Sequence, residues 1–300
     1  MKSDVTVCVC TYKRPQMLRK LLLELNKQKT DGVRFSVTVV DNDQGRSAEL
    51  MVRTLRRSLK FRIRYVCEAR KNIAGARNAA VRNAQGEYIA FIDDDEFPSN
   101  NWLEDMLETC DREKAQGVLG PVLPYYDEAS PGWLRKSGLC DRRRFLSGTI
   151  LKNTTLMRTG NVLFRRELFF LHGMSFDEKY GLTGGEDSDF FRRALKRGFT
   201  FVWCDEAGVY EHVPPERSTR GYHLKRALLR GTLNARRIGF FSMPVAKSVA
   251  AVLLYIPALP VLFLLGHGIF MRYLVRTFDH LGRLLGISGI ELVRDRSFQG

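Results

Sequence analysis

Cysteine is scarce in this sequence, and its spacing argues against disulfide and metal sites. The 300 residues contain six cysteines, with no CxxC pair among them. Cys8 and Cys10 lie on one predicted strand, so their side chains point to the same face and are badly placed to bridge. We therefore expect reduced thiols, as in a cytosolic protein. The N-terminus runs directly into this strand without the pattern of a signal peptide, so we expect the folded part to stay in the cytoplasm.

Acidic side chains are scarce relative to basic ones. The chain has 48 Lys and Arg against 33 Asp and Glu, a formal net charge of +15. From 213 to 300 there are 13 basic and 4 acidic residues, so most of the excess lies in the last third. Such an excess favours an anionic partner: nucleic acid, membrane lipid or a phosphorylated substrate. Because the sequence has no nucleic-acid-binding motif and the basic residues flank an apolar segment, we expect no nucleic-acid partner.

Charge is absent altogether from Ser248–Met271, a stretch of 24 residues. A straight helix of this length would extend ~36 Å, enough to cross the hydrocarbon core of a bilayer. Pro257 and Pro260 argue against one straight helix. Basic residues lie on both sides, namely Arg236, Arg237 and Lys247 before it and Arg272 and Arg276 after it. This arrangement favours a hairpin that dips into the membrane with both ends on the cytoplasmic side. The alternatives are a segment that crosses the membrane and a buried helix of a soluble protein.

The first half of the chain alternates between strand and helix patterns. Predicted strands cover 5–10, 35–40, 61–67 and 88–92, and predicted helices cover 16–28, 47–59 and 72–86, the last closed by Gly86. This order predicts an α/β fold with a mostly parallel sheet flanked by helices. Ligands bind outside the carboxyl ends of the strands in such sheets. The segments "TYKRP", "DNDQG" and "IDDDE" all follow strands, whereas 125–144 is predicted to be an irregular loop.

Four consecutive acids follow the strand "YIAFI": Asp93, Asp94, Asp95 and Glu96. Hard divalent cations such as Mg²⁺ and Mn²⁺ prefer oxygen ligands, often one or two carboxylates together with substrate phosphates. The cluster therefore predicts a metal–diphosphate site. The alternative is a solvated acidic turn before a helix near Trp102–Cys110, with Ser99 or Asn100 as its cap.

A second acidic cluster lies in "TGGEDSDFFRRALKRG", where two glycines precede Glu186, Asp187 and Asp189. Apolar residues at helical spacing follow, and Gly198 marks the end of the predicted helix. A carboxylate at a helix start beside a substrate can take a proton from an attacking hydroxyl as a general base. The alternative is that these acids only cap the helix.

Five motifs occur in one order along the chain: "VCTYKRP", "VVDND", "NIAGARNAA", "FIDDDE" and "GGEDSDFF". Together they resemble glycosyltransferase family 2, and within it the bacterial exopolysaccharide glucosyltransferases of the succinoglycan type. The resemblance implies a GT-A fold, a nucleotide-sugar donor, a divalent metal (Mg²⁺ or Mn²⁺) and inversion of the anomeric centre. The resemblance covers roughly Val5 to Arg230, and the composition changes after about Ser242. We therefore expect a catalytic domain over 1–240, followed by a membrane-associated helical region over 241–300. The absence of "QxxRW" favours the addition of one sugar per acceptor.

The resemblance assigns roles to residues. Asp187 is the expected general base, with Glu186 beside it, and Asp95 is the expected metal ligand. His212 is expected as a third metal ligand or diphosphate contact, although a lone histidine is usually structural. The acceptor side is expected at Gly160 and Asn161, for which an ordinary turn before a strand is the alternative. Donor contacts are expected from Thr11, Tyr12, Arg14, Asp41, Lys71, Asn72, Arg77, Asp93, Asp94 and Arg217. Within that set Arg77 is equally compatible with an exposed position on a helix, and Asp94 with support of the turn.

The expected activity is transfer of a sugar, from a UDP-sugar by resemblance, to a polyprenyl-diphosphate-linked saccharide. Such an acceptor has an anionic head and a lipid tail, which matches a basic, apolar last third. The expected location is the cytoplasmic face of the plasma membrane, in exopolysaccharide or cell-surface glycan synthesis. The alternative is a degenerate homologue that binds a nucleotide and assists assembly without catalysis.

Overall fold

A computed structural model describes residues 3–29, 32–235, 239 and 242–290. The chain forms two compact units. The first comprises Met1–Leu123 and Arg142–Glu211, and the second comprises Pro124–Asp141 and His212–Gly300. The second unit resumes at His212, and the helix that follows His212 packs with the C-terminal helices. The division into a catalytic domain over 1–240 and a membrane-associated region over 241–300 stays a prediction.

The first unit is built on a seven-stranded sheet of order β3-β2-β1-β4-β8-β6-β9. Strands β3, β2, β1 and β4 are parallel, and β8 is antiparallel to both β4 and β6. The strands are β1 Ser3–Thr11, β2 Val33–Asp41, β3 Arg62–Cys67, β4 Tyr88–Ile92, β5 Glu96–Pro98, β6 Gly117–Leu119, β7 Val122–Tyr125, β8 Asn161–Arg165, β9 Phe201–Trp203 and β10 Val209–His212. A smaller sheet has the order β5-β10-β7.

Helices cover this sheet. They are α1 Pro15–Leu25, α2 Glu49–Leu55, α3 Ile73–Asn83, α4 Trp102–Arg112, α6 Glu167–Phe170 and α7 Glu186–Lys196. Helix α1 begins at Pro15, whose fixed φ suits the first helical turn, and it buries four leucines at helical spacing. All five residues of β4 are buried, as expected for a strand covered on both faces. The predicted mostly parallel α/β architecture is confirmed.

Two local predictions in the first half of the chain were wrong. Helix α3 ends at Asn83, before Gly86. Gly86 instead lies against β1, where a Cβ atom would be 2.6 Å from the carbonyl oxygen of Asp4. The segment 125–144 is not entirely irregular, because it contains helix α5, Gly132–Ser137, which ends at Gly138 with φ +63°. Six residues are too few for a periodic pattern to reveal a helix.

The second unit is helical, with α5, α8 Arg220–Ala235, α9 Met243–Leu265 and α10 His267–Ile287. Helices α8 and α10 approach closely through glycines. A Cβ atom on Gly231 would lie 2.1 Å from the Asp279 carbonyl oxygen, and one on Gly282 would lie 2.3 Å from that of Leu228. Side chains of this size would separate the two helices, so the glycines fix their packing.

The apolar segment is divided at a different place from the one its prolines predicted. Helix α9 continues through Pro257 and Pro260 and ends at Leu265, and Gly266, with φ +141°, makes the turn into α10. In the described part of the chain, α9 is the one helix long and apolar enough to cross a membrane, with mean hydropathy 2.4 over a window that is 6% buried. Arg236 and Arg237 lie outside the described residues.

Candidate active site

The acidic turn after β4 is tied to the carboxyl end of β1. Thr11 Oγ1 donates a hydrogen bond of 2.6 Å to Asp94 Oδ2. Arg14 Nη1 lies 3.4 Å from Asp94 Oδ1 and 3.1 Å from Asp95 Oδ2. Asp94 is buried, whereas the Asp95 side chain is 33% exposed. Asp94 therefore supports the turn, and Asp95 keeps an oxygen open to solvent. For Thr11 and Arg14, contact with a nucleoside stays a prediction.

The second acidic cluster is held by Arg77 of α3. Its guanidinium Nη1 lies 2.5 Å from Glu186 Oε1 and 2.8 Å from Asp187 Oδ1. Arg77 is buried, so the alternative of an exposed helix position is wrong. Burial alone would disfavour the charged guanidinium, but the charges of Asp187, Asp93 and Glu186 outweigh it and raise the pKa of Arg77.

Thr159 gives Asp187 a defined orientation. Its hydroxyl donates to Asp187 Oδ1 at 2.7 Å, and its backbone N–H lies 3.3 Å from Asp187 Oδ2. Oδ1 thus accepts two strong hydrogen bonds, whereas Oδ2 accepts one long one. The sequence analysis missed Thr159, because a buried threonine that precedes a strand carries no recognisable signal.

Glu186 is less suited to proton transfer than its prediction as a catalytic residue implied. Its Oε1 is paired with Arg77, and its Oε2 is buried without a hydrogen-bond partner among the described residues. The Asp187 side chain is 19% exposed, against 9% for Glu186. In this geometry Asp187 Oδ2 can meet an incoming hydroxyl, whereas Glu186 serves to hold Arg77.

Asp93 lies where the two acidic clusters meet. Its carboxyl group has access to solvent but is surrounded by protein groups, and this desolvation is the largest cause that raises its pKa, to about 7. The positive charge of Arg77 opposes the shift, and the negative charges of Asp95 and Asp187 add to it. All of these groups therefore belong to one electrostatic site.

Gly160 allows the two acidic clusters to lie close together, because it has no side chain. A Cβ atom at Gly160 would lie 2.8 Å from Asp93 Oδ2 and 3.1 Å from Glu96 Oε1. Glu96 is itself buried, and burial followed by the charge of Asp93 raises its pKa well above the usual range. Because Thr159 contacts Asp187 and the next residue packs on Asp93, the pair Thr159–Gly160 joins the two clusters.

The carboxylates of this site can hold a hard divalent cation only together with oxygen ligands from a substrate. Among the described residues no group of three or more His, Cys, Asp or Glu is placed to hold a metal. Asp95 offers a carboxylate that is one-third exposed, and a cation would relieve the repulsion among the like charges around Asp93. One or two carboxylates with water and phosphate oxygens suffice for Mg²⁺ or Mn²⁺.

His212 and Arg217 belong to the second unit. The His212 Nε2 atom lies 2.6 Å from Asp127 Oδ2, also in that unit. Arg217 lies in a 3-10 turn, Pro215–Ser218. The predicted roles of His212 at the metal and of Arg217 at the diphosphate stay predictions.

Two of the expected donor residues contact each other at the surface. Lys71 Nζ lies 4.8 Å from the centre of the Tyr12 ring. Lys13 Nζ also lies 5.4 Å from the ring centre, and Tyr12 is 37% exposed, so part of the ring is accessible to solvent. Lys71 follows β3 and Tyr12 follows β1, so the parallel sheet brings them to the same edge.

Asp41 and Asn72 are occupied by the protein itself. Asp41 is fully buried, and its Oδ2 accepts hydrogen bonds from Ala48 N at 2.8 Å and the Tyr65 hydroxyl at 2.9 Å. Asn72 caps α3 by accepting from Gly75 N, and it donates to Glu178 O. In this conformation Asp41 has no exposed oxygen for the predicted contact with base or ribose. Asp41 and Asn72 therefore hold the loops at the edge of the site in place through their hydrogen bonds.

Asn161 is also a structural residue here, in contrast to its predicted place at the acceptor. It is buried, and its Oδ1 accepts from Trp102 Nε1 at 2.8 Å. Its Nδ2 donates to the carbonyl oxygens of Pro121 and Ala207 at 3.0 and 2.8 Å. Its side chain therefore joins three segments of the first unit and leaves only Gly160 of the predicted pair at the acidic site.

Asn161→Ala is expected to lower the free energy of unfolding by about 1–3 kcal/mol, because it removes the acceptor of the buried Trp102 N–H and the side-chain donor to the Ala207 carbonyl oxygen. The Pro121 carbonyl oxygen keeps the hydrogen bond from Val209 N. Urea denaturation measures this loss. Asn153→Ala is the control, since Asn153 is exposed and caps only a 3-10 turn. Unchanged stability together with a raised KM for the acceptor would return Asn161 to the acceptor side.

Comparisons with known proteins show the family. The profile described as "Glycosyl transferase family 2" matches residues 6–170. The succinoglycan biosynthesis protein ExoM of Rhizobium meliloti (strain 1021) is 36% identical over 235 residues, which cover 77% of this chain and 74% of the relative. The family resemblance and the likeness to succinoglycan-type enzymes are thereby confirmed.

Solved structures show the fold. The structure of S. aureus TarS 1-349 in complex with UDP-GlcNAc has a TM-score of 0.55 at 18% identity, covering 98% of this chain and 94% of that one. The mannosyltransferase PcManGT from Pyrobaculum calidifontis, in complex with GDP-Man and Mn²⁺, has a TM-score of 0.61 at 19% identity, covering 96% and 87%. The chain has the GT-A fold, and it belongs to glycosyl transferase family 2.

Proposed function

We propose that this chain is an inverting glycosyltransferase in which Asp187 is the general base. The observation that carries the proposal is the convergence of Asp187, Asp93 and Asp95 on one site around Arg77 and Thr159–Gly160. One carboxylate is held by strong hydrogen bonds on one oxygen and is open on the other. The second group of carboxylates lies at the end of β4, where a donor diphosphate binds in α/β folds.

The reaction is a direct displacement at the anomeric carbon. Asp187 Oδ2 takes the proton of the acceptor hydroxyl while that oxygen forms a bond to C1 of the sugar. The bond from C1 to the diphosphate oxygen breaks on the opposite face, and its electron pair leaves with the nucleoside diphosphate. An α-linked donor therefore gives a β-linked product. A divalent cation bound at Asp95 would neutralise charge on the leaving diphosphate.

The proposed donor is a UDP-sugar. The crystal structure of TarS in complex with UDP-GlcNAc supports UDP, whereas the structure of PcManGT is a complex with GDP-Man and Mn²⁺. The exposed Tyr12 ring beside Lys71 offers a stacking face for a base and a cation for a phosphate. Both nucleotides carry these groups, so the choice of UDP needs a direct binding test.

The proposed acceptor is a polyprenyl-diphosphate-linked saccharide at the cytoplasmic leaflet, within exopolysaccharide or cell-surface glycan synthesis. The likeness to ExoM supports the pathway class. The apolar helix α9 and the basic excess after residue 213 support contact with an anionic membrane.

A donor screen against lipid-linked acceptors tests the function. The full chain is incubated with labelled UDP-, GDP- and dTDP-sugars, Mn²⁺ and membrane lipid extracts. Label that enters the organic phase with wild-type protein, and not with Asp187→Asn, supports transfer. Tight nucleotide binding without transfer to any acceptor would favour the alternative of a non-catalytic nucleotide-binding homologue.

Membrane contact can be tested by placing a charge on α9. Leu264→Asp is expected to reduce the fraction that sediments with anionic liposomes several-fold, because Leu264 is 84% exposed and would contact the acyl region. Leu146→Asp is the matched control, since Leu146 in the first unit is also 84% exposed. Equal sedimentation of both variants and wild type would remove α9 as the membrane contact.

A further inference from the structure

The packing and charges of the α9–α10 hairpin, residues 243–287, indicate how α9 would be oriented in a membrane. The two helices run antiparallel along their lengths. Near the start of α9, Ser248 Oγ lies 3.1 Å from His280 Nδ1 and 2.9 Å from Arg283 Nη1. Near its end, the Phe263 ring lies 5.4 Å from that of Phe270. Each turn of α9 therefore lies beside a turn of α10.

Helix α10 is charged along most of this length. Arg272, Arg276, Asp279 and Arg283 occupy successive turns. Asp279 is paired with Arg230 of α8 at 2.6 Å, and α8 is itself basic. If α9 stood across a bilayer, α10 and α8 would lie at the same depth and carry these charges into the hydrocarbon. Such residues are strongly disfavoured there.

The chain connections exclude crossing on separate grounds. The end of α9 turns into α10 beside α5, because Gly268 packs on Lys136 and Arg272 Nε donates to Ser137 O at 2.6 Å. Helix α5 belongs to Pro124–Asp141, whose neighbours in the chain on both sides belong to the first unit. Eighteen residues that include charged side chains cannot cross a bilayer twice, since one crossing takes about 20 apolar residues. Both ends of Pro124–Asp141, and the end of α9 that packs on α5, therefore lie on one side of a bilayer.

The outer face of α9 is apolar from Val249 to the end of the helix. The exposed residues include Val249, Leu253, Leu254, Ile256, Val261, Leu264 and Leu265. On the inner face, Tyr255 packs edge-to-face on Tyr273, and the Arg276 guanidinium lies 5.2 Å from the Tyr273 ring. Tyrosine and arginine are typical of the membrane–water boundary. They lie beside the middle of α9, where a crossing helix would have the centre of the bilayer.

We propose that α9 lies in the plane of the membrane, with its outer face in one leaflet of an anionic bilayer and α10 on its water side. This inference rests on the membrane contact proposed above and gives it an orientation. The apolar face would enter about 5–10 Å into the headgroup and acyl boundary. The exposed Arg272 and Arg276 and the nearby Lys247 lie within the same hairpin and supply positive charge for anionic headgroups.

The depth of three α9 positions tests this orientation. A fluorescent unnatural amino acid is placed at Val249, Leu254 or Leu264 in the full chain, bound to vesicles that contain phosphatidylglycerol and nitroxide-labelled lipids. An in-plane helix gives similar quenching depths at all three positions. A crossing helix gives depths that spread by about 22 Å between Val249 and Leu264, at 1.5 Å per residue.

Two controls separate the possible outcomes. The same probe at Leu146 should remain unquenched, and transfer activity of each labelled chain is measured in parallel. Active protein with a depth gradient along α9 would overturn the in-plane orientation while leaving the proposed activity intact. Active protein that shows no quenching at any of the three positions would also overturn it. The same holds if the α9 positions are shielded from lipid because copies of the chain associate through this face. Uniform shallow quenching supports it even if no acceptor has been found.

Discussion

Asp187→Asn is expected to lower the rate of sugar transfer by about 10²–10⁴-fold while changing the affinity for UDP little. General-base catalysis contributes this range, and the amide cannot accept the proton of the acceptor hydroxyl. The amide oxygen can still accept from Thr159 and Arg77, so the local geometry should persist. Single-turnover transfer measures the chemical step, and calorimetry with UDP measures binding.

Two neighbouring variants distinguish the base from the groups that hold it. Glu186→Gln removes a negative charge beside Arg77 but leaves Asp187 Oδ2 with only its long hydrogen bond from Thr159 N, so we expect a smaller loss of rate than for Asp187→Asn. Thr159→Val removes the hydroxyl donor at 2.7 Å and should lower the rate while leaving the pH dependence of transfer in place. If Glu186→Gln abolishes transfer and Asp187→Asn does not, Glu186 is the general base and Asp187 is the residue that holds Arg77.

The parts of this site that the sequence revealed are those set by local patterns. Ile92 ends a buried strand and Asp93 begins a run of acids, so both the strand end and its chemistry are visible in one short segment. The same is true of Gly185 and Asp187 at the start of α7. Because parallel strands bring their carboxyl ends to one edge, the meeting of β1 and β4 could also be predicted.

The parts that the sequence did not reveal depend on partners far along the chain. Arg77 is separated from Asp187 by 110 positions, and nothing around it distinguishes a buried guanidinium from an exposed one. Asn161 looks like a turn residue until Trp102 is placed against it. Glu186 and Asp187 are adjacent acids, and only the contacts of Thr159 show which has an open oxygen.

In the apolar segment, by contrast, a strong local signal predicted a break that the structure does not have. Pro257 and Pro260 carry a strong local signal against a helix, yet α9 runs through both. Proline removes one hydrogen bond and crowds the preceding turn, and packing of Tyr255 and Phe263 on α10 offsets this cost. Gly266, which does end the helix, stands among apolar residues with no flanking polar cluster to mark a turn.

Asp95→Ala is expected to remove the effect of Mn²⁺ on nucleotide binding. In the wild type the cation should raise the affinity for UDP at least about tenfold, which corresponds to 1.4 kcal/mol. Without the Asp95 carboxylate, the cation loses the exposed ligand of the acidic turn, because Asp94 is held by Thr11 and Arg14 and Glu96 is buried. Calorimetric titrations of UDP with and without Mn²⁺ should then give the same affinity for the variant.

This loss can be separated from misfolding by the sign of the stability change. The charge of Asp95 adds to the repulsion on Asp93, so its removal should leave the metal-free protein at least as stable as the wild type. The half-exposed Arg14 loses one of its two partners, which costs little at the surface. Asp95→Asn keeps the hydrogen bond to Arg14 and should behave like the alanine variant towards Mn²⁺. If either variant retains the full response to Mn²⁺, the cation is bound elsewhere and the acidic turn is only the end of a strand.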